Sequence, residues 1–392
     1  YGITGRQPDG GDSYLSFNTY NVGAGSFPGS SNPSTGQNES NTYNGVPSVS
    51  PNFSGGLSNS ELTWEHSKQA NIGVDLTFLN GRFNFVADAY VRNTTEGIFT
   101  LALPITTGYS TITSNAIGTR NSGIETQFIA HYFNPSKAFQ WETNFNFAFN
   151  KNLITSLPNG GRDIYLDKFL LRQGQSINQY NVFEQTGIYA TDGDVPVNPI
   201  DGSVLSFYGY PFKGGDPIWK DQNGDGILDA TDYVPAGNPN PKMTGGMVNT
   251  FSYKNFSLSV FATFTLGRDI YNDYLVGKLS HLVPTDDGDP DPLHALSNNA
   301  FPYLNGINYW RNPGDNANYP SLSSFSGTRY KYAAVSSRWV ENGSYIRIKT
   351  ATLAYAFKPK VLQRLSLSRL RVYAMADNLH IFQSANLPDG EQ

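Results

Sequence analysis

Six short stretches of this chain alternate apolar and polar residues closely enough that one side suits oil and the other water. Residues 141–150 read Trp-Glu-Thr-Asn-Phe-Asn-Phe-Ala-Phe-Asn. Trp141, Thr143, Phe145, Phe147 and Phe149 fall on one face, and Glu142, Asn144, Asn146, Ala148 and Asn150 on the other. Successive side chains of a strand point to opposite faces, so the pattern predicts a strand with one apolar face. A strand over about 65–79 sets Ala70, Ile72, Val74, Leu76 and Phe78 against Gln69, Asn71, Gly73, Asp75 and Thr77. Asn80-Gly81 is a strong hairpin signal and leads to a second strand, about 82–97.

A longer connection is expected over about 98–120, then strands at about 121–134 and 139–157, joined by Asn134-Pro135-Ser136-Lys137. After a loop over about 158–241, strands at about 243–254 and 256–270 flank a tight Lys254-Asn255 turn. A further loop of roughly 70 residues precedes strands at about 344–358 and 368–382, with Pro359 and a helical turn between them. The penultimate strand slips phase. Ile346 and Ile348 share one face and Leu353, Tyr355 and Phe357 the other, which predicts a bulge within 349–352.

No charged residue stands on the apolar face of the six clean strands. A Lys or Arg facing lipid at mid-bilayer costs about 2–4 kcal/mol, so this absence has a physical cause. Short turns collect at one end of the strands and long loops at the other, as in outer-membrane barrels. Aromatic residues gather at the short-turn end: Phe78, Phe83, Tyr132, Phe133, Phe139, Trp141, Tyr253, Phe256 and Phe357. They match the interfacial girdle of such barrels. A soluble β-sandwich also alternates, but its strands average about 5–6 residues and its long loops are not confined to one end. The expected fold is all-β: an antiparallel transmembrane barrel segment of about eight strands with long extracellular loops.

Composition narrows the function. Charged residues make up 15% and aromatics 14% of the chain, and the net charge is −5 with no basic run, so nucleic-acid binding is not indicated. There is no cysteine, which excludes disulfides, zinc-thiolate sites and thiol nucleophiles. Mean hydropathy is −0.40 and no apolar run reaches the length of a transmembrane helix. Tyr1-Gly-Ile-Thr-Gly5 carries no signal-peptide pattern, so a processed chain or a piece of a longer one is expected.

Several stretches then resemble SusC/RagA-type TonB-dependent transporters. Leu62-Thr-Trp-Glu65 with Asn71-Ile-Gly-Val-Asp75 is similar to an "LKWE…NIGLD" element of that family. Tyr1–Gly5, Asn121-Ser-Gly-Ile-Glu125, Trp141 through Asn152, Asp221 through Asp232, and Pro241-Lys242 with Gly245-Gly246 also match in the family's order. Gly343 through Lys349, Arg371-Val-Tyr373 and Asp377-Asn378-Leu379 complete the set. The resemblance implies an outer-membrane barrel of about 22 strands with an N-terminal plug. It implies import of large nutrients, with glycans the first expectation and oligopeptides the alternative. It also implies a SusD-like surface lipoprotein as lid and energy from the TonB complex. On this reading residues 1–392 are the C-terminal portion of such a barrel, with plug and TonB-contacting box upstream and a final strand after Asn386. A passive porin, an adhesin barrel or a soluble carbohydrate-binding β-protein are the readings from other classes.

One local motif suggests a metal. Asp221, Asn223, Asp225, Ile227 (through its carbonyl), Asp229 and Asp232 follow the spacing of a twelve-residue calcium loop, with Gly226 at the sharp turn. A structural Ca2+ in a surface loop is expected, and an acidic turn without metal is the alternative. The run Asp286-Asp287-Gly-Asp289-Pro-Asp291 lacks the spacing. His66, His131, His281, His294 and His380 are scattered, no Gly-x-Ser-x-Gly elbow occurs, and Asp192/Asp194 is a common loop pair, so no enzyme is expected. Loop aromatics (Tyr180, Tyr189, Phe207, Tyr208, Tyr210, Trp219, Tyr271, Tyr274, Tyr303, Tyr309 and Trp310) suit sugar stacking, a protein interface, or packing of the loops on each other.

Overall fold

The computed structural model describes residues 2–6, 20–22, 49–51, 56–198, 202–207, 210–280, 308–321, 335–364 and 366–384. Its main feature is one antiparallel meander of nine strands in chain order. We number them β1 (Gly2–Arg6), β2 (Glu65–Phe78), β3 (Phe83–Ala102), β4 (Thr111–His131) and β5 (Phe139–Ser156). The remaining four are β6 (Met243–Tyr253), β7 (Phe256–Leu266), β8 (Tyr345–Ala356) and β9 (Arg371–Gln383). No described helix is long and apolar enough to cross a membrane, which says nothing of strands.

Register turns the sequence alternation into two surfaces. Directly paired residues of neighbouring strands point the same way. One row reads Val74, Ala87, Thr126, Phe147, Gly245, Phe264, Ile346 and Phe382 across eight consecutive strands. Every apolar face predicted from the sequence joins this side. The opposite side reads Asn71, Tyr90, Gly123 and Asn150 in one row and Gln127, Asn146, Gly246 and Thr263 in another. Ile72 is 75% exposed and Val372 57%, so among the described residues nothing covers the apolar surface. A face this apolar and this open belongs against lipid.

The phase slip of β8 is a bulge within the expected 349–352. Pairing with β7 skips from Thr350 to Ile348, so Lys349 is the extra residue of a bulge. The bulge absorbs one residue and returns the later part to the same side. Ile346, Ile348, Ala351, Leu353 and Tyr355 therefore all lie on the apolar face rather than on two faces.

The connection expected over 98–120 is mostly strand. β3 and β4 continue together to Ala102 and Thr111, past an irregularity at Glu96 and Gly97, leaving a loop only at 103–110. Glu96 has φ 56°, and a Cβ on Gly97 would lie 2.6 Å from the Ile117 carbonyl oxygen. Residues 98–120 do not alternate as the wall strands do, and Phe99 and Ile117 of these upper arms pack against the cap instead of standing between lipid and water. The Asn80-Gly81 turn is also longer than two residues. Phe78 pairs with Phe83, and Leu79, Asn80 and Gly81 all have positive φ. Lys254-Asn255 is a two-residue turn, and a helix at Pro359–Arg364 bridges β8 and β9.

The long connections at the other end form a cap. Residues 157–242 supply short strands, among them Gln179–Phe183 and Pro217–Trp219, and three buried clusters. One joins Tyr180 and Val182 with Tyr271 and Trp339 from the next long connection. A second centres on Phe183, Tyr189, Phe212, Trp219 and Leu228. The third seats the cap on the strand ends through Ile117, Ile154, Leu157 and Leu171. Asn152 ties wall to cap as well: its side-chain oxygen accepts the Ile177 amide at 3.0 Å.

Candidate functional site

The polar face of β2–β5 forms a concave wall. Gln69, Asn71, Asp88, Tyr90, Arg92, Asn121, Glu125 and Asn150 line a depression of about 600 Å3. Two glycines make room for it. The Tyr90 hydroxyl donates to Asn150 Oδ1 at 3.1 Å by crossing over Gly123. A Cβ on Gly123 would lie 2.7 Å from that hydroxyl and 2.4 Å from the Phe149 carbonyl oxygen. A Cβ on Gly73 would lie 2.3 Å from Asp88 Oδ1. Asp88 stands directly opposite Glu125 in the ladder. Two facing carboxylates require water or a cationic partner, so this side suits a hydrated lumen. The sequence signal for the cluster was glycine inside strands, which marks close approach of another group.

The acidic loop lies in the cap. Asp221 accepts the Gly224 amide at 2.6 Å with one oxygen and the Gly226 amide at 2.8 Å with the other. Asn223 Oδ1 accepts the Asp225 amide, and Asp225 Oδ1 accepts the Ile227 amide. Asp229 Oδ1 accepts both the amide and the hydroxyl of Thr231, which hold its carboxyl below the usual range. Asp232 is fully buried and accepts the Gln222 and Asp229 amides. Gly224 and Gly226 take φ near 77° and 78°, where a side chain would be strained. The donor set is all oxygen, which fits a hard cation, and each carboxylate keeps acceptor sites beyond its amide bonds. The loop is nevertheless wound on its own amides. Among the described residues no three His, Asp or Glu side chains converge as a metal cluster.

A second depression, about 530 Å3, runs beside this loop between Val197, Leu205, Ile218 and Trp219 on one side and Asp221 and Asp225 on the other. Tyr189 and Trp219 contribute to its lining, and most loop aromatics pack inward. Tyr180, Tyr189, Trp219 and Tyr271 are buried. Trp219 stacks on Phe183 with centroids 4.7 Å apart, and Phe207 meets both rings edge-on. Trp310 Nε1 donates to the Ala190 carbonyl at 2.9 Å, and the Arg311 guanidinium lies over the Tyr309 ring. Tyr210 and Tyr274 are exposed, while Tyr208 and Tyr303 lie outside the described residues.

The residues weighed for catalysis have other occupations. Asp192 Oδ1 accepts the Gly214 amide, and Asp194 Oδ2 accepts the amide and hydroxyl of Thr191. His66 pairs with Glu96 at 3.3 Å and His131 with Glu142 at 3.6 Å, both on exposed strand surface. The ring of His380 packs edge-on against Phe382. His281, His294, the 286–291 acidic run and the segment after Asn386 lie outside the described residues.

No family profile matches the chain. Curated proteins do. It is 29% identical over 371 residues to TonB-dependent receptor P39 of Formosa agariphila, covering 87% of this chain and 34% of the relative. To TonB-dependent receptor SusC of Bacteroides thetaiotaomicron it is 26% identical over 307 residues, 76% of this chain and 27% of the relative. Among solved structures, the RagAB peptide transporter superposes with a TM-score of 0.71 at 19% identity, over 99% of this chain and 37% of that one. An open-open state of the RagAB peptide importer gives 0.66. The chain thus spans about a third of the length of the relatives it matches. It is similar to TonB-dependent receptors, SusC among them, and its fold is that of an outer-membrane transporter barrel.

Proposed function

We propose that the protein carrying this chain is an active importer of large nutrients, with residues 1–392 forming a C-terminal portion of its barrel wall. One observation carries this reading. A single meander presents a mainly apolar face outward and a polar, carboxylate-bearing face inward, under a folded cap at one end. Among the described residues the nine-strand sheet is open at β1 and β9, and unpaired edges are not viable in lipid, so a closed barrel needs further strands beside them. A plug, a SusD-like surface lipoprotein over the cap and the TonB complex beneath complete the machine.

Glycans are the first substrate class, as for a SusC-like barrel. Oligopeptides are the second reading, favoured by the inward packing of the cap aromatics and by the fold shared with a peptide transporter. The test is uptake by cells with and without the gene, supplied with labelled oligosaccharides or labelled peptides. Loss of one class of uptake in the deletion names the substrate. Uptake that survives collapse of the proton-motive force would mean a passive porin.

The same reading includes a structural Ca2+ in the loop from Asp221 to Asp232, held by Asp221, Asn223, Asp225, the Ile227 carbonyl, Asp229 and Asp232. Calorimetric titration of the chelator-treated protein tests it. Saturable heat that is lost in Asp225→Ala supports the site, and no heat removes it.

A further inference from the structure

Above the apolar band, on the same outward side, the character of the sheet changes from oil to cations. Lys68 follows Ala70, Ile72 and Val74 on the outward face of β2. It stands opposite Asn93, which stands opposite Arg120 of β4. One row nearer the band, Lys151 of β5 pairs with Ser122, itself opposite Val91. Three cations on three strands thus occupy two adjacent rows. Lys68 and Arg120 are two strands apart, about 10 Å at ordinary strand spacing.

These side chains are free to meet something outside the protein. All three are exposed. Among the described residues none of them pairs with a carboxylate, whereas His66 beyond them already holds Glu96. Arg120 is also pre-aimed. Its Nε donates to Asn93 Oδ1 at 2.7 Å, which fixes the guanidinium plane and leaves its terminal nitrogens as a fork. That geometry suits a phosphate oxygen pair. The trio lies at the long-loop end, which is the cell exterior in an outer-membrane barrel. Its height is that of the outer-leaflet headgroups: Lys151 shares a row with Ala70 and Val91 at the edge of the apolar band, and Lys68 and Arg120 stand one row beyond.

We propose that Lys68, Arg120 and Lys151 form a lipid-facing site for the phosphorylated glucosamine headgroup of lipopolysaccharide. The site would anchor β2–β5 to the outer leaflet and fix their height in the membrane. This rests on the outward assignment of the apolar face. Basic side chains at a lipid surface gain about fivefold in affinity each, so the three together are worth about 100-fold.

The test uses protein purified from outer membranes in detergent, titrated with bisphosphorylated lipid A, with the same lipid lacking its phosphates, and with phosphatidylglycerol. The expected result is preference for phosphorylated lipid A and a loss of about 100-fold in the Lys68→Gln/Arg120→Gln/Lys151→Gln variant. Lys137→Gln, at the short-turn end, should bind as the unaltered protein does. A heat-sensitive electrophoretic shift shows that each variant is folded. Should the triple variant not fold, the unaltered protein still decides, because equal binding of lipid A with and without phosphates overturns the site. Equal binding of phosphatidylglycerol overturns the assignment to lipopolysaccharide. Failure of the protein to fractionate with membranes at all would instead overturn the barrel reading beneath it.

Discussion

Phe145 and Asn146 are neighbours in sequence and should respond oppositely to the same substitution. Phe145 lies in the outward row with Phe128 and Met247, and its ring stacks toward Phe264 at 6.1 Å. Asn146 points to the lumen side, where its Oδ1 accepts the Gly246 amide at 2.9 Å. From Phe139 to Phe149, ten residues at about 3.4 Å each and tilted about 45° cover about 24 Å of membrane thickness. This matches an apolar band about 25 Å tall and puts Phe145, about 14 Å from the lower edge, near the middle. Phe145→Arg should therefore destabilise the inserted protein by about 2–4 kcal/mol. Asn146→Arg faces water and should cost about 1 kcal/mol, the value of the lost amide bond. Urea titration of protein folded into bilayers, followed by the electrophoretic shift of the intact barrel, measures both. Equal costs, or the larger cost at Asn146, would refute the assignment of faces.

Deleting Lys349 removes the extra residue and leaves Ile348, Ala351, Leu353 and Tyr355 in regular alternation on the outward face, so that variant should assemble in the membrane, whereas deleting Lys349 and Thr350 together throws Ala351, Leu353 and Tyr355 to the lumen side and should abolish assembly; pulse-labelled membrane insertion distinguishes the two. Burial, with Asp216 nearby, pushes the Tyr189 hydroxyl up to about 12. A raised tyrosine pKa favours the neutral folded form, so its stability is complete below pH 10 and fades as pH rises from 10 to about 12. The rise is worth about 3 kcal/mol at most, and Tyr189→Phe should flatten the alkaline limb of a cap-unfolding curve read by proteolysis. Gly123→Val should cost about 1–3 kcal/mol through its collision with Tyr90 and the Phe149 carbonyl. Tyr90→Ala in the same protein should recover only the Tyr90 share, because the backbone contact stays.

What could be read in the sequence was whatever two solvents impose at once. A strand between lipid and water must alternate, so β2 through β5, β7 and β9 stood out, and even the slip at Lys349 was visible as a break in phase. Where a strand leaves lipid the pattern fades. The upper arms of β3 and β4, beyond Gly97, pack Phe99 and Ile117 against the cap and read as loop. The cap was hidden for a different reason. Phe183, Trp219 and Leu228 are buried together, and Tyr180 meets Trp339, but these contacts join distant short segments with no shared period. Composition showed many loop aromatics without showing that most are core. The lumen cluster was half legible: Gly73 and Gly123 announced close approach, while the partner, Tyr90, emerged only from register.

Asn249 is the residue hardest to square with an outward apolar face. Register places it beside Thr143 and Val260 on the lipid side, two positions in from Phe251 and the aromatic girdle. An amide left unpaired in hydrocarbon costs several kcal/mol. Its neighbours answer that cost. Trp141 Nε1 donates to Asn249 Oδ1 at 3.0 Å, and Thr143 Oγ1 donates to the same oxygen at 2.7 Å. An indole N–H can only donate, so the orientation of the amide is fixed and not a free choice. The three side chains then act as one unit, which binds the girdle tryptophan to β6. Asn249→Leu should orphan the indole N–H and cost about 1–3 kcal/mol despite making the face more apolar. Trp141→Phe in the same protein should cost less than the two single changes added, with a coupling of about 1 kcal/mol. Strict additivity in that cycle would mean that the bond contributes nothing. Asn249 would then be tolerated only because it lies close enough to the interface for water to reach it.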